Sequence, residues 1–222
     1  MIDLVVARYA EDVSWMGNIP AAVRVHLYNK GKTLPGGIDL PNAGREAHTY
    51  LHHIVTQYEH LADLTVFCQG KPFDHAHDFH RVLRDLNSGA RAVENFLWLG
   101  FLIDTDDKNG RRLFVPWSKN PGRCELPMEE FYTALFGQEC PEGFRFYAGA
   151  QFAVTSACIR GRPRSFYERV LELALRMELA PHCLERVWDR VFGVTGAADE
   201  ILDGKETVYL KPIKRLIAPS ES

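Results

Sequence analysis

Two polar segments of the chain carry residue types suited to binding a phosphate-bearing ligand. Residues 8–12 follow a short apolar run, and residues 42–46 precede a helical pattern. Backbone N–H groups are free at a helix start and the helix dipole is positive there, so an anion is favoured. Solvated loops and helix caps have the same kinds of polar residues as these two segments. The sequence therefore gives two candidate sites, each with a structural alternative.

In the first segment, each polar residue has a role that a nucleotide would need. Arg8 can grip a phosphate, Tyr9 can stack on a base, and the carboxylate of Glu11 or Asp12 can hold a ribose or base edge. The alternative is a solvated loop in which Asp12 starts a helix. The segment predicts a nucleotide-binding loop, with that alternative left open.

In the second segment, Asn42 can cap the helix and the backbone near Gly44 can approach an anion closely. Arg45 adds a guanidinium that can hold a phosphate through two hydrogen bonds. Glu46 in the first turn is equally an ordinary partner of the helix dipole. His48 lies close enough to the helix start to reach the same ligand.

Eight of the nine histidines lie between residues 26 and 80, which raises the question of a metal site. Gln69 and Gly70 follow a buried strand and are suited to binding hydroxyls or a phosphate. Asp74 and His75 come next and are candidate catalytic residues. Asp74 and His75 could also form a metal site together with His77, Asp78 and His80. A helix that begins at these residues would, however, turn their side chains in several directions.

Two further segments carry carboxylates. Asp104 and Asp106 form an Asp-x-Asp motif, but Asn109-Gly110 is a strong turn signal, so we predict a hairpin whose second strand is residues 112–115. In the last helical pattern, Glu185 falls at the edge of the apolar stripe and could face a cleft. Arg186 falls on the opposite side and is expected to be solvated.

Composition sets limits on the class of protein. With 222 residues, 46% hydrophobic and 25% charged, the chain can form one well-buried globular domain. A formal net charge of −3 gives no reason to expect nucleic-acid binding. The five cysteines form no CxxC pair, and the first apolar run is too short for a signal peptide. We expect a cytoplasmic protein without a membrane span.

The elements that position these residues alternate between strand and helix patterns, which predicts βαβ units and a largely parallel sheet. Residues 144–159 look extended, and Ser165 with Glu168 forms a capping-box pattern that should start a helix. The expected strands are residues 3–7, 22–28 and 63–68. The expected helices are residues 47–61, 76–86, 127–136, 165–179 and 182–192.

Several motifs together resemble one family, domain of unknown function 3431. The motifs are VVARYAEDVSWM, YNKG, LPNAGREAHTYLHHIV, TVFCQGKPFDH, GAQFAVTSACIRGRPRSFYERVLEL and LERVWDRVFG. The order and residue types of these motifs are similar to those of type-A glycosyltransferases. The motif NAGRE looks like an Asn-x-Gly-Arg-Asp block with Glu46 in place of Asp. The resemblance implies a single α/β domain over residues 1–222, with residues 199–222 as a peripheral extension. That domain would be a three-layer sandwich with a mostly parallel central sheet, nucleotide-diphospho-sugar-transferase-like.

The resemblance also favours an enzyme, one that moves a sugar from a nucleotide sugar to a glycan or small-molecule acceptor. Gly149 and Gln151 would line the acceptor side, and Glu185 would be the general base. Such enzymes carry Asp-x-Asp at a strand end where this chain has Gln69-Gly70, so the involvement of a divalent metal such as Mn or Mg stays open. The alternatives are a metal-dependent hydrolase built on the His-rich loop and a non-catalytic nucleotide- or glycan-binding protein.

Overall fold

A computed structural model describes residues 1–111, 125–194, 197 and 199–210, which form two sheets, seven α-helices and three short 3₁₀ helices. The strands are β1 (Ile2–Arg8), β2 (Val23–Asn29), β3 (Ile38–Asp39), β4 (Leu64–Gln69), β5 (Phe96–Trp98), β6 (Leu102–Asp107), β7 (Gly143–Tyr147), β8 (Phe152–Thr155) and β9 (Thr207–Tyr209). The helices are α1 (Arg45–Gln57), α2 (Phe79–Ser88), α3 (Met128–Phe136), α4 (Ser156–Arg160), α5 (Arg164–Arg176), α6 (Ala180–Val191) and α7 (Asp199–Leu202).

The central sheet has six strands in the order β3-β2-β1-β4-β8-β5. The first four strands are parallel, whereas β8 is antiparallel to both of its neighbours. The predicted α/β class is confirmed, in the form of a mixed sheet. The chain crosses from the edge strand β3 to β4 through α1, the kind of helical crossover by which parallel strands are usually connected. The direction of β8 differs because the chain returns to this sheet from the second one.

Helices cover both faces of the central sheet. Side chains alternate across a strand, so Val5 and Phe67 face one core while Leu4 and Val66 face the other. The first core is completed by α1, α3, α5 and α6, with Trp188 fully buried in it. The second is completed by α2. The arrangement therefore has three layers, helices–sheet–helix.

A second, antiparallel sheet has the order β7-β6-β9 and packs beside α6. Asp104 and Asp106 lie within β6, not at a hairpin turn as the sequence suggested. The turn itself is present, because the N–H of Gly110 donates to the carbonyl oxygen of Asp107. The predicted strand at residues 112–115 lies outside the described residues. Strand β9 takes the outer position on β6, at the periphery of the molecule.

Two local predictions near β8 are wrong. Residues 156–159 are helical rather than extended, because the Thr155 hydroxyl accepts from the N–H of Cys158 and starts α4. The capping box is not formed either. Helix α5 already begins at Arg164, and Glu168 instead pairs with the Arg164 guanidinium at 3.0 Å. Within the described parts of the chain, no helix is both long and apolar enough to cross a membrane.

Candidate functional site

A pocket of about 300 Å³ opens at the carboxyl ends of β1, β2 and β4, beside the start of α1. Loops gather at this edge because parallel strands end there together, and it is where open α/β folds bind ligands. Most of the lining was predicted from the sequence. The lining residues are Ala7, Arg8, Tyr9, Glu11, Lys30, Asn42, Arg45, Glu46 and Gln69.

The start of α1 is held by the backbone rather than by an Asn42 cap. Gly44 precedes the helix with φ 59°, and Arg45 follows with φ 46°, so two successive residues are left-handed. A Cβ on Gly44 would come within 3.1 Å of the Ala174 carbonyl oxygen, which restricts this position to glycine. A left-handed Arg is strained, and such strain tends to occur at functional sites. The Arg45 side chain is 62% exposed at the pocket.

Lys30 is a buried cation that the sequence did not single out. Its ammonium donates to the carbonyl oxygens of Ala43 and Arg45 and so fixes the loop before α1. Burial lowers the pKa of Lys30 to about 8, although the negative charge of Glu46 opposes this shift. His48 supports the same loop, since its Nδ1 lies 3.2 Å from the Ala43 carbonyl oxygen. His48 thus stabilises the loop that borders the pocket.

Arg8 is buried at the pocket wall, and its guanidinium is engaged by neighbouring groups. Nη1 donates to Asn29 Oδ1 at 2.8 Å and to Thr33 Oγ1 at 3.0 Å, and Nε donates to the Glu11 carbonyl oxygen at 2.9 Å. These bonds tie the loop after β1 to the loop after β2. A phosphate contact of the kind predicted for Arg8 would have to compete with them.

The rest of the loop after β1 is ordered by Glu11. Its Oε2 accepts from two successive backbone N–H groups, that of Tyr9 at 2.7 Å and that of the next residue at 3.1 Å. The Tyr9 ring is left 53% exposed beside the pocket. Asp12 lies outside the pocket lining and accepts from the N–H and hydroxyl of Ser14. The helix-start interpretation of Asp12 thus fits its contacts, since a short 3₁₀ helix begins at Ser14.

The end of β4 holds the position where the resemblance implies an acidic pair. Gln69 lines the pocket, and the N–H of Gly70 donates to the Ala7 carbonyl oxygen at 2.7 Å. A Cβ on Gly70 would meet the Glu11 carboxylate at 2.8 Å, so glycine is required for the close approach of the two loops. Glu11 is therefore the carboxylate that stands closest to this strand end.

Glu46 is a carboxylate at the pocket with an altered proton affinity. Its side chain is only 11% exposed, and Arg45 Nε lies 3.7 Å from its Oε2. Burial raises the pKa of Glu46, and the charge of Glu185 raises it further, while the charges of Arg45 and Lys30 act in the opposite direction. Perturbed carboxyls in clefts are candidates for acid–base chemistry. The structure thus gives Glu46 more than the dipole role weighed for it from sequence.

Glu185 lies on α6 within electrostatic reach of Glu46. Its Oε1 accepts from the N–H of Gly149 at 2.6 Å, and its Oε2 accepts from Arg186 Nη1 at 3.0 Å. Arg186 was predicted to be solvated but is buried, because the second sheet covers this side of α6. Its Nε donates to Asp106 Oδ2 at 3.0 Å. Glu185 thus has a donor on each oxygen.

His75 and Gly149, predicted for the donor and acceptor sides, are in contact. A Cβ on Gly149 would meet His75 Cγ at 2.3 Å, and Gly149 has φ 101°. The next residue, Ala150, is also left-handed with φ 50°. Because the N–H of Gly149 donates to Glu185, the three predicted residues are linked by direct contacts. As at the start of α1, left-handed backbone and predicted site residues coincide here.

Gln151 and Asp74 do not line a cleft in the way predicted. Gln151 is fully buried, and its Nε2 donates to the Pro72 carbonyl oxygen at 3.0 Å, which links β8 to the loop after β4. Asp74 is exposed and pairs with Lys71 at 3.3 Å. Asp74 is therefore a surface residue, because the short helical turn at Pro72–Asp74 points it outward.

A full set of five metal ligands around residues 74–80, which the helical pattern there made an unfavoured alternative, does not come together within the described residues. His77 packs against the Phe101 ring at 5.2 Å, and His80 Nε2 lies 3.1 Å from the Trp15 carbonyl oxygen. The start of α2 turns these side chains apart, as the helical alternative implied. Asp78 does not cap the helix and pairs with Arg81 instead.

Two site residues could not have been found from spacing alone. Lys30 stands just beyond the end of the second parallel strand, a position that carries a weak signal. His182 is half-buried in the first turn of α6, one turn before Glu185. Burial lowers the pKa of His182 to about 4, and the charge of Arg45 contributes, so the imidazole is neutral at pH 7. Only the packing of α6 against α1 brings His182 near Arg45.

The sequence profile of one family, described as "Protein of unknown function (DUF3431)", matches residues 4–201. No curated protein matches the chain, and no solved structure does. Since the match covers most of the chain, the chain belongs to the DUF3431 family. The predicted family membership is thus confirmed, whereas the resemblance to glycosyltransferases stays a prediction.

Proposed function

We propose that this DUF3431 protein is a glycosyltransferase-like enzyme that transfers a sugar from a nucleotide sugar to a glycan or small-molecule acceptor. One observation carries the proposal: a pocket at the carboxyl ends of three parallel strands combines three cations, Arg8, Lys30 and Arg45, with an exposed aromatic ring. Arg45 and Lys30 suit a diphosphate, and Tyr9 suits a base. The three-layer α/β fold is compatible with the nucleotide-diphospho-sugar-transferase-like fold that the resemblance implies.

The diphosphate would lie between Arg45 and Lys30, at the start of α1. The Arg45 guanidinium can make two parallel hydrogen bonds to phosphate oxygens. Lys30 already holds the loop that presents Arg45, so the Arg45 backbone is held in place before a ligand arrives. When the bond to the sugar breaks, negative charge builds up on the leaving diphosphate. Fixed positive groups are most effective at stabilising such developing charge.

The proton acceptor for the acceptor hydroxyl is Glu46 in this proposal. Glu185 was the sequence-based choice, but both of its oxygens already accept hydrogen bonds, from Gly149 and Arg186. Glu46 lines the pocket and has a raised pKa, which makes it a stronger base at neutral pH than an ordinary carboxylate. Glu185 then acts as a positioning residue that orders the Gly149 loop and raises the pKa of Glu46.

A divalent metal ion would have to be held differently from the way the resemblance implies. Gln69-Gly70 offers no carboxylate at the end of β4, and Glu11 is the acidic residue that approaches it. Arg45 and Lys30 can neutralise part of the diphosphate charge themselves. We therefore expect Mn or Mg to modulate the reaction rather than to be indispensable for nucleotide binding.

Of the alternatives, a hydrolase built on the His-rich loop is not favoured, because His77 and His80 bind different neighbours and Asp74 is on the surface. A non-catalytic protein that binds a nucleotide or glycan uses the same pocket and differs only in turnover. A transferase converts the bound nucleotide sugar to products, whereas a non-catalytic protein binds it and leaves it unchanged.

The test is the release of nucleoside diphosphate from a panel of nucleotide sugars, with and without manganese, in the presence of mixed glycan acceptors. Wild-type protein should release diphosphate from one donor, and Arg45→Ala should lose most of this activity. Arg84→Ala is the matched control, since Arg84 is an exposed arginine on α2, on the other face of the sheet. If no donor is bound under any condition, the proposal fails. Binding without turnover would support the non-catalytic alternative.

A further inference from the structure

Three potential metal ligands meet at the other end of β1. Asp3 lies on β1, His26 on β2 and His53 on α1, and one donor atom from each lies within 4.8 Å of the others. Asp3 and His53 are fully buried, and His26 is partly buried. In the parallel register Asp3 is opposite Arg24 and Val5 is opposite His26, so these side chains share the face covered by α1.

We propose that Asp3, His26 and His53 form a binding site for a divalent transition-metal ion, with zinc as the best match. Two imidazole nitrogens and one carboxylate oxygen are a ligand set that zinc accepts, with a fourth position left for water. His26 Nε2 and Asp3 Oδ2 are 3.2 Å apart. Ligands at about 2.1 Å from a tetrahedral ion are about 3.4 Å apart, so this pair already has a suitable separation.

The nitrogen atoms that would bind the ion have no satisfactory partner otherwise. His53 Nε2 is buried and makes no hydrogen bond, and His26 Nε2 also makes none with good geometry, despite its closeness to Asp3. Buried polar atoms are normally paired, and those that are not call for an explanation such as an ion. One nitrogen of each imidazole lies within 4.8 Å of an Asp3 oxygen. Two rings with unpaired buried nitrogens beside one carboxylate favour a ligand at this position.

The surrounding groups orient the ligands in the way that metal sites require. The Tyr28 hydroxyl lies 3.0 Å from His53 Nδ1, and when it accepts from that nitrogen, Nε2 carries the free lone pair. Burial lowers the pKa of His53 to about 3, and the charge of His26 contributes, so the ring is neutral. Arg24 donates to both oxygens of Asp3, from Nε to Oδ1 at 2.7 Å and from Nη2 to Oδ2 at 2.8 Å, which fixes the carboxylate while each oxygen keeps a second lone pair for an ion.

The site is separate from the pocket and does not depend on the proposed enzymatic function. Asp3 and Arg8 lie near opposite ends of the seven-residue strand β1. At about 3.3 Å per residue, the two are roughly 16 Å apart. An ion here would join β1, β2 and α1, and α1 is the helix that begins with Arg45. Its role would be to stabilise the scaffold that carries the pocket.

The experiment uses the full chain, freed of metal with a chelator and dialysed. Zinc and, as a coloured substitute, cobalt are titrated separately and followed by calorimetry and visible absorption. We expect one equivalent of each ion to bind, with a higher melting temperature in zinc. His26→Gln and His53→Gln should each weaken zinc binding at least tenfold. His52→Gln is the matched control, because His52 adjoins His53 on α1 but lies outside the cluster.

His26 is partly exposed, so His26→Gln decides the matter if His53→Gln fails to fold. Loss of zinc binding in His26→Gln with retention in His52→Gln supports the site. The proposal is overturned if the metal-free wild type binds no zinc. It is equally overturned if His26→Gln binds zinc as wild type does, because the ion is then held by other histidines or cysteines.

Discussion

Strand β1 and helix α1 carry polar groups at both ends, and the two ends differ in how their charges are balanced. At the pocket end, Arg45 is largely exposed on a strained backbone and Glu46 is a buried carboxyl with a raised pKa. At the other end, Asp3 is also buried and burial alone would raise its pKa. The close contacts and positive charges of His26 and Arg24 reverse this and lower the pKa of Asp3 to about 2.

Arg45 and Glu46 at the pocket end have few partners within the described part of the chain, whereas the charged groups at the Asp3 end are mostly paired with one another. Charges at the pocket end are only partly compensated by the protein, so a charged ligand gains from binding there. At the Asp3 end the carboxylate is compensated and only the imidazole nitrogens are unpaired, which suits a metal ion but not a nucleotide. Substitutions at either end, and a change of pH, test this contrast.

Replacing Glu46 by Gln should give the largest effect, a fall in kcat of about 100- to 10,000-fold, because a general base is lost. Nucleotide affinity should change little, since the amide keeps the shape of the side chain. Steady-state kinetics with the active donor measure both. Glu59→Gln, which changes an exposed carboxylate just after α1, should behave as wild type. A larger loss in Glu185→Gln than in Glu46→Gln would return the base to Glu185.

Arg45→Ala should weaken the binding of nucleoside diphosphate about 10- to 100-fold, the loss of hydrogen bonds to a charged group. Arg45→Gly should lose the same affinity but be more stable than Arg45→Ala by roughly 1 kcal/mol, because glycine tolerates the left-handed backbone at this position. Calorimetric titration and chemical unfolding give the two quantities. Unchanged affinity in both variants would remove Arg45 from the site.

Asp3→Asn should lower the free energy of unfolding by about 1–3 kcal/mol at pH 7, because Arg24 and His26 lose a charged acceptor. The pKa of Asp3 is lower in the folded state, so its stabilisation is present above pH 4 and is lost as the pH falls toward 2. The variant should lack this part of the acid sensitivity. Its diphosphate affinity should equal that of wild type. A large loss of affinity would show that the two ends are coupled.

The smallest effect concerns pH. With a pKa of about 8, Lys30 is charged below that pH and neutral above it when no ligand is bound. A bound phosphate raises this pKa, so binding takes up a proton and affinity should fall a few-fold as the pH rises from about 7.5 to 9. Lys30→Arg keeps its charge and should show a flatter profile. An affinity that increases over this range would contradict the assignment of Lys30.

The pocket lining was largely predictable because it depends on local pattern. Polar residues that directly follow a buried strand, such as Tyr9 and Gln69, must lie near the sheet edge, and Arg45 follows from the helical period of α1. The histidines at residues 74–80 are close in sequence, but the helical pattern there already argued against a full metal cage, and the start of α2 does turn them apart. Chemistry-bearing residues that are close in sequence need not converge.

What could not be predicted depends on contacts between distant segments. Arg186 is buried only because β6 and β7 cover α6, and His75 meets Gly149 only because β8 enters beside β4. The direction of β8 has no local signal, so the sheet was expected to be mostly parallel. The metal-ligand group unites Asp3, His26 and His53, which lie on three different elements, and no spacing rule connects them.

We propose that the pocket at the carboxyl ends of the strands binds a nucleoside diphosphate through its phosphates. Calorimetric titration of wild-type protein with the diphosphates of uridine, guanosine, cytidine, adenosine and thymidine, and with the corresponding nucleosides, tests it directly. One diphosphate should bind at least about 100-fold more tightly than its nucleoside, since two charge-assisted contacts are lost without the phosphates. Equal affinity for the two forms, or no binding of any diphosphate, would contradict the claim.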